Sequence, residues 1–389
     1  MSDVIDSYVA AVVSVVGSGT PPIGLHEPVF EGREWTYVKE CLDTGWVSSA
    51  GKFVDRFETV LSEYTGANAV AVSNGTAALH VCLLLAGIKP GDEVLVPSLT
   101  FVATANAISY CSAIPHFVDI SPETLGVSGP ALENYLADIA VIRDNSCYNR
   151  VTGRPITALL LMHTLGFPAA IQELTVICDR YHIALIEDAA ESLGSCYQGR
   201  HTGTFGFAGA LSFNGNKVIT TGAGGAVLTM DRELAKRVKH ITTTAKVSHA
   251  WEFIHDQVGY NYRMPNLNAA LGTAQLERLD AILSVKAELH RKYVAAFRDI
   301  PTASIFEGGC DGSPNYWLNL MLIQDAYLRD AVIGRLHAIG IQARPFWRPM
   351  HLLPMYQTCP RADLPVTDSI YQTGIQLPSG PGLPGGQEE

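Results

Sequence analysis

At 389 residues, with 47% hydrophobic and 17% charged residues, the chain is too long for one ordinary core and too apolar to be disordered, so a large domain with a smaller one is expected. The net charge of −11 excludes nucleic acid as a partner, because a phosphate backbone needs a basic face. Any anionic substrate must be met by a local basic cluster.

The chain opens on an amphipathic helix, followed by a Gly/Ser/Thr/Pro linker through Pro22. The run Val4–Val16 contains Asp6, lacks a basic flank and is too short to cross a bilayer. Neither a secretion signal nor a membrane partner is expected. Glu31–Leu42 and Val54–Tyr64 carry apolar residues at three- and four-residue spacing and read as helices. A βα rhythm follows. Ala69–Val72, Val94–Val96, Ile114–Val118, Ala158–Met162 and Ala184–Ile186 read as strands. Gly75–Ala86, Thr100–Tyr110 and Ala170–Tyr181 read as the helices between them. Ala210–Phe213 and Ala226–Thr229 add two strands. This order predicts an α/β fold with a mainly parallel sheet, covered on both faces, whose ligands sit at the carboxyl ends of the strands. Gly129–Pro155 is the least legible region, and Asn145–Arg154 reads as an exposed excursion. Asn266–Asp280 and Leu283–Phe297 read as helices. After Pro301 short strands and one helix, Tyr327–Ile339, mark the small domain. The eight cysteines are scattered without a C-x-x-C pair and read as reduced residues of a cytoplasmic protein, with no metal site.

The chemistry gathers at strand ends. Lys217 follows Leu211–Ser212–Phe213–Asn214 in a turn of small and polar residues. A lysine between a strand end and the loop Gly222–Ala223–Gly224–Gly225 can be partly desolvated, which lowers its pKa and makes it a nucleophile toward carbonyls. A surface lysine in a strand connection is the plainer alternative. Gly75–Thr76 begins a helix, whose free N–H groups suit a phosphate, although N-capping explains a Ser/Asn-Gly-Thr start equally well. Phe101 is either a core aromatic or a flat face for a cofactor ring. Asp188 ends a buried strand, where a carboxylate is costly unless a cation meets it; an N-cap is the other reading. Phosphate cradle, stacking face, acid for a ring nitrogen and lysine for an aldehyde are the needs of one cofactor, pyridoxal 5′-phosphate (PLP). No P-loop or G-x-G-x-x-G follows a strand to suggest a nucleotide-binding module instead.

With these residues in place the sequence resembles the nucleotide-sugar aminotransferases of the aspartate aminotransferase superfamily, PLP fold type I. The resemblance covers nearly the whole chain. It rests on Ser73–Leu79, Pro97–Ile108, Ile186–Ser195, Ser212–Lys217, Gly259–Pro265 with Asn268–Ala269–Ala270, and Arg344–Tyr356, in the family's order. It implies a mixed, mainly parallel sheet sandwiched by helices and a smaller C-terminal α/β domain. The domain plan is then residues 1–24 (helix and linker), 25–255 (large PLP-binding domain) and 256–389 (interface loop, long helix and small domain). It also implies a homodimer with shared active sites. It places Lys217 on the PLP aldehyde, Asp188 on the pyridine nitrogen and Phe101 against the ring. Gly75, Thr76 and Ser212 would hold the phosphate, and Asn261, with Arg263 nearby, would reach the phosphate of the partner's cofactor. Glu191 would face the ring oxygen where many relatives have Gln, and so must be protonated or paired. Two further departures are Gly222–Ala223–Gly224–Gly225, where many have Gly-Glu-Gly-Gly, and the ending Pro384–Glu389, where relatives commonly continue into a last helix.

The stretches Thr242–Lys246, Trp251–Asp256 and Arg344–Tyr356 look most like the branch that aminates C4 of UDP-4-keto-6-deoxy-N-acetylglucosamine. GDP-perosamine synthases are the alternative branch, and a non-catalytic PLP-binding regulator a more distant one. The resemblance implies glutamate as amino donor, with Lys217 as base and then acid. Lys246, Arg344, Arg348 and His351 form the basic set for the nucleotide diphosphate of the sugar substrate, or else are ordinary surface charge.

Overall fold

Strands buried on both faces are written as unbroken apolar runs, and the main sheet follows that rule. Val94–Val96, Leu159–Met162 and Ala226–Leu228 are all buried. The computed structural model describes residues 2–18, 22–309 and 311–383. Among them the main sheet has seven strands. In spatial order these are Asn68–Val72, Gly225–Thr229, Ala208–Ser212, Ala184–Asp188, Ile156–Met162, Glu93–Pro97 and Ile114–Val118. Gly225–Thr229 runs antiparallel to both neighbours, and the other adjacent pairs are parallel. The six remaining strands therefore share one direction, and their carboxyl ends open on one side.

Side-chain alternation assigns the two faces. Val70, Val72, Val94, Val96, Leu160 and Ile186 pack under the helices Gly75–Leu85, Val102–Tyr110 and Arg232–Thr242. Their neighbours Ala69, Ala71, Leu95, Leu159, Leu161 and Leu185 point the other way. They lie under Lys52–Thr65 and Asn266–Leu276 at one end, and under Gly129–Ile139 and Ile171–Tyr181 at the other. The fold is α/β, a mixed and mostly parallel sheet between helical layers.

The smaller sheet is antiparallel, in the order Ala303–Ile305, Asn319–Ile323, Gly374–Leu377, Arg344–Pro345. The first helix, Ser2–Val16, packs here. Tyr8 and Val12 meet Leu289 and Tyr293 of the helix Leu279–Phe297, and Tyr8 donates a hydrogen bond to Thr302 Oγ1 at 2.7 Å. No helix of the described residues is long and apolar enough to cross a membrane. Cys41, Cys82, Cys111, Cys147 and Cys178 are buried free thiols, and Cys196 and Cys359 are half-buried free thiols. Cys310, linker residues 19–21 and the ending 384–389 lie outside the described residues.

Three expectations change. The helices expected at Asn266–Asp280 and Leu283–Phe297 divide earlier, as Asn266–Leu276 and Leu279–Phe297. The illegible region holds the helix Gly129–Ile139, capped by Ser128, and the hairpin Ala140–Arg143 with Ser146–Asn149. Asp144 and Asn145 make its turn with φ of 47° and 56°, the left-handed pair that two-residue hairpins require. Asn145–Arg154 is therefore not simply an exposed excursion. Asn149 is buried and donates to Glu93 at 2.9 Å, and Thr152 donates to the same carboxylate at 2.6 Å. Pro365–Thr373 is a further helix not assigned from sequence.

Candidate active site

A cavity of about 410 Å³ opens at the carboxyl ends of the main strands. Gly75, Thr76, Phe101, Asp188, Glu191, Ser212, Lys217 and Arg344 all line it. They come from segments far apart in sequence, and the parallel sheet brings them to one edge.

One end of the cavity is the start of the helix Gly75–Leu85. The first N–H groups of a helix have no intrahelical acceptor and carry the positive end of its dipole. Asn74 caps the helix by accepting a hydrogen bond from Ala77 N at 2.8 Å. Glycine is needed here for close approach. A Cβ on Gly75 would stand 2.8 Å from Ser212 Cβ, and one on Gly225 would stand 2.5 Å from the Asn74 carbonyl carbon. Helix start and strand ends thus form a tight pocket with the Ser212 hydroxyl beside it.

Asp188 is buried, and its two oxygens accept hydrogen bonds from Thr104 Oγ1 at 2.7 Å and Ala190 N at 3.1 Å. Thr104 is held in turn by Thr100 Oγ1 at 2.8 Å. Among the described residues, Asp188 forms no ion pair. Burial raises its pKa from the ordinary carboxylate value, against the opposing effect of these hydrogen bonds. An oriented, desolvated carboxylate lacking a cation is a receptor for one.

Lys217 reaches the cavity from the turn after Ala208–Ser212. Its amine lies 3.3 Å from Glu191 Oε1 and 4.0 Å from the centre of the Trp317 ring. Trp317 is itself fixed, with its indole N–H donating to Asn216 O at 2.7 Å. Glu191 is buried, and its other oxygen accepts from Leu165 N at 2.8 Å. Burial pushes the Glu191 carboxyl up to about 7, partly offset by Lys217 and the Leu165 amide. Leu165 meets Glu191 with φ of 56° while fully buried, a conformation that costs a non-glycine residue about 1–3 kcal/mol. Phe101 is 46% exposed at the cavity, with Trp347 edge-on at 6.0 Å between ring centres.

These residues fit PLP. The helix start and Ser212 would take its phosphate, and Asp188 would take a protonated ring nitrogen. Phe101 offers a ring face, Glu191 a polar group beside the lysine, and Lys217 the amine for an aldehyde. Bound there, the cofactor supplies an electron sink for charge at a carbon that loses or gains a proton.

The other predicted residues lie outside this cavity. Asn261 is exposed, and its Oδ1 accepts from Arg263 Nε and Nη2 at 3.0 and 2.9 Å. Its loop lies along the chain's own Asn68–Val72 end, where Ser73 N donates to Tyr262 O at 2.7 Å. Lys246 is exposed on the short hairpin with Ile254–His255, its amine 4.0 Å from the Phe253 ring centre. Arg348 is exposed. His351 is buried, with Nδ1 2.8 Å from Ser98 Oγ and Nε2 3.5 Å from Asp368 of the helix Pro365–Thr373.

Sequence reasoning did not find Trp317, Trp347, Thr104, Leu165 or Gln376. Thr104 had a signal, being one helical turn from Thr100 at the same helix start. Trp317 had none, because only the fold carries the small domain over Lys217.

Comparison with known proteins agrees with this geometry. The model of the DegT/DnrJ/EryC1/StrS aminotransferase family matches residues 29–389. A GDP-perosamine synthase of Vibrio cholerae is 37% identical over 365 residues, 93% of this chain and 95% of the relative. One from Escherichia coli O157:H7 is 36% identical over 362 residues, 93% of this chain and 94% of the relative. A crystal structure of a DegT DnrJ EryC1 StrS aminotransferase from Brucella abortus superposes with a TM-score of 0.81 at 29% identity, covering 90% of this chain and 91% of that one. The chain belongs to the DegT/DnrJ/EryC1/StrS aminotransferase family and is a PLP-dependent sugar aminotransferase.

Proposed function

We propose that the protein moves an amino group from glutamate to C4 of a GDP-linked 4-keto-6-deoxy sugar, as a perosamine synthase does. The observation that carries the choice of sugar is the likeness to GDP-perosamine synthases from Vibrio cholerae and Escherichia coli along almost the full length of both chains. A third, from Caulobacter vibrioides, is 35% identical over 372 residues. These relatives favour the GDP-linked branch over the UDP-linked branch expected from the 242–256 and 344–356 stretches. Those stretches are short, and three of the four cations expected to bind substrate, Lys246, Arg348 and His351, lie outside the cavity.

The chain's own residues divide the work. Asp188, oriented by Thr104, holds positive charge on the ring nitrogen. Lys217 takes a proton from the α-carbon of the donor and later delivers one at C4 of the sugar. Glu191 keeps a proton or a charge within reach of that amine. Phe101 and Trp347 cover the cavity mouth and exclude water. Arg348, next in sequence to Trp347, is the cation assigned to the diphosphate. Asn261 acts across a homodimer, on the phosphate end of the partner's cavity, and Lys246 acts from the same side.

The test is turnover of a small panel of 4-keto nucleotide sugars with glutamate. Amination of the GDP-linked keto sugar, with slower or no reaction of UDP- and TDP-linked ones, supports the reading. Preference for the UDP-linked N-acetyl sugar would restore the other branch.

A further inference from the structure

Lys286, on the helix Leu279–Phe297, is 1% exposed and forms no ion pair among the described residues. Its amine meets Trp317 O at 3.1 Å, Ser379 O at 2.5 Å and His26 Nε2 at 3.0 Å instead. Burial lowers its pKa to about 7, and either charge state satisfies the site. An ammonium donates to all three atoms. A neutral amine donates to the two carbonyls and accepts from His26. A buried amine without a counter-charge is costly, and an apolar side chain would fill the same space with less penalty if filling were all that mattered.

The atoms it holds belong to the wall of the Lys217 cavity. Leu25, next to His26, lines that cavity, and Ser379 N donates to Leu25 O at 2.7 Å. Trp317 and Leu318 line it too, whereas Lys286 does not. Trp317 is tied on every side. Its N donates to Asn315 Oδ1 at 2.8 Å, its O accepts from Lys286, and its indole N–H donates to Asn216 O at 2.7 Å. Asn216 directly precedes Lys217, whose amine lies 4.0 Å from the centre of the Trp317 ring. A continuous bracket therefore runs from the long helix, through Trp317, to the turn that carries the amine.

We infer that Lys286 is a positioning residue for Lys217 and acts through Trp317, holding the indole against the Lys217 turn and over its amine. This rests on the proposed role of Lys217 as the reacting amine. A displacement of about 1 Å at a reacting group can cost about a hundredfold in rate, which is the leverage of such a bracket. A lysine that only satisfied carbonyls at a junction of segments would give an effect that does not pass through the Trp317 indole.

A double-mutant cycle separates the two. In the PLP-loaded protein with saturating substrates, Lys286→Met should lower kcat about tenfold, the effect of one lost hydrogen bond. Trp317→Phe keeps a ring over the amine, removes the tie to Asn216 and should lower kcat by a similar factor. In the Trp317→Phe background, Lys286→Met should cost no more than about twofold, because its route to Lys217 is already cut. A second readout needs no turnover. In cofactor-free protein, acetylation of Lys217 by acetic anhydride is scored by mass against the exposed Lys39. It should quicken about tenfold in Lys286→Met and in Trp317→Phe, and no further in the double variant. If melting shows that Lys286→Met is unfolded at the assay temperature, Lys286→Gln, which keeps two N–H groups, takes its place in the same cycle. Losses that multiply, or Lys217 acetylation that Lys286 does not alter, overturn the inference. If Lys217→Ala keeps full activity, the proposed role of Lys217 fails and takes the inference with it. If Lys217→Ala is inactive and the losses still multiply, the inference alone fails.

Discussion

The Lys217 amine lies 3.3 Å from Glu191 Oε1, and the other Glu191 oxygen is held by the amide of Leu165 at 2.8 Å. The lysine amine thus sits against a buried carboxyl that holds its proton more tightly than an ordinary carboxylate does. Burial moves that carboxyl from 4.5 to about 7. A pKa raised in the folded state means the folded protein binds the proton more tightly than the unfolded chain. The stabilisation is full below about 4.5 and lost as pH rises through about 7. In cofactor-free protein, Glu191→Gln should flatten the fall of melting temperature with pH across this window, relative to the unmutated chain. Identical pH dependence in the two would show that Glu191 does not titrate there.

Asp188 and Thr104 make a second, separable pair. Asp188→Asn keeps the shape and the Thr104 contact but cannot balance a pyridinium charge. Turnover should fall by about two to three orders of magnitude, as for loss of a preorganised charge partner. Thr104→Val leaves the charge and removes its 2.7 Å hydrogen bond. It should cost about tenfold, the worth of one hydrogen bond to an ionised group. Steady-state rates with saturating glutamate and sugar read both. A Thr104→Val loss as large as that of Asp188→Asn would mean the threonine does more than orient.

The main sheet was readable because buried parallel strands leave little choice of residue. Val94–Val96 and Ala158–Met162 are apolar throughout, and strand ends then place Asp188 and Lys217 without further information. Gly75, Thr76, Phe101, Asp188 and Lys217 follow from that as candidates, whereas Ser212 and Glu191 came only from the family resemblance. What was hidden depends on long-range packing or on mixed signals. Ser128–Gly129–Pro130 looks like a turn, yet Ser128 caps a helix that Pro130 can begin. Arg232–Thr242, a further helix not assigned from sequence, carries an Asp231 cap and apolar residues at helical spacing. The contacts of Trp317 and Gln376 have no local signature. The two residues line the Lys217 cavity only because the small sheet lies against the carboxyl ends of the main strands. His351, a polar residue in a cleft-like segment, is hydrogen-bonded to Ser98 and lies 3.5 Å from Asp368, partners that only the fold brings to it.

Asn261 provides the test of a shared site. Its loop carries Tyr260 and Tyr262, stacked at 5.0 Å between ring centres and only half-buried, the kind of aromatic surface that anchors interfaces. If the loop serves the partner's cavity, inactive Lys217→Ala and Asn261→Asp proteins should complement on mixing. One site in each mixed dimer would join an intact lysine to an intact partner asparagine. With equal amounts and free subunit exchange, half the dimers are mixed and each has one intact site, so activity should return toward about a quarter of that of the unmutated protein. No recovery, with exchange shown by differently tagged subunits, would place Asn261 on its own chain alone.

The central claim is that Lys217 is the residue to which PLP is attached, and borohydride reduction tests it most directly. The loaded protein is reduced, digested and mapped by mass. The label should fall on the peptide that contains Lys217, and Lys217→Ala should retain neither label nor visible band. A label on Lys236, Lys239, Lys246 or the buried Lys286 would contradict the account.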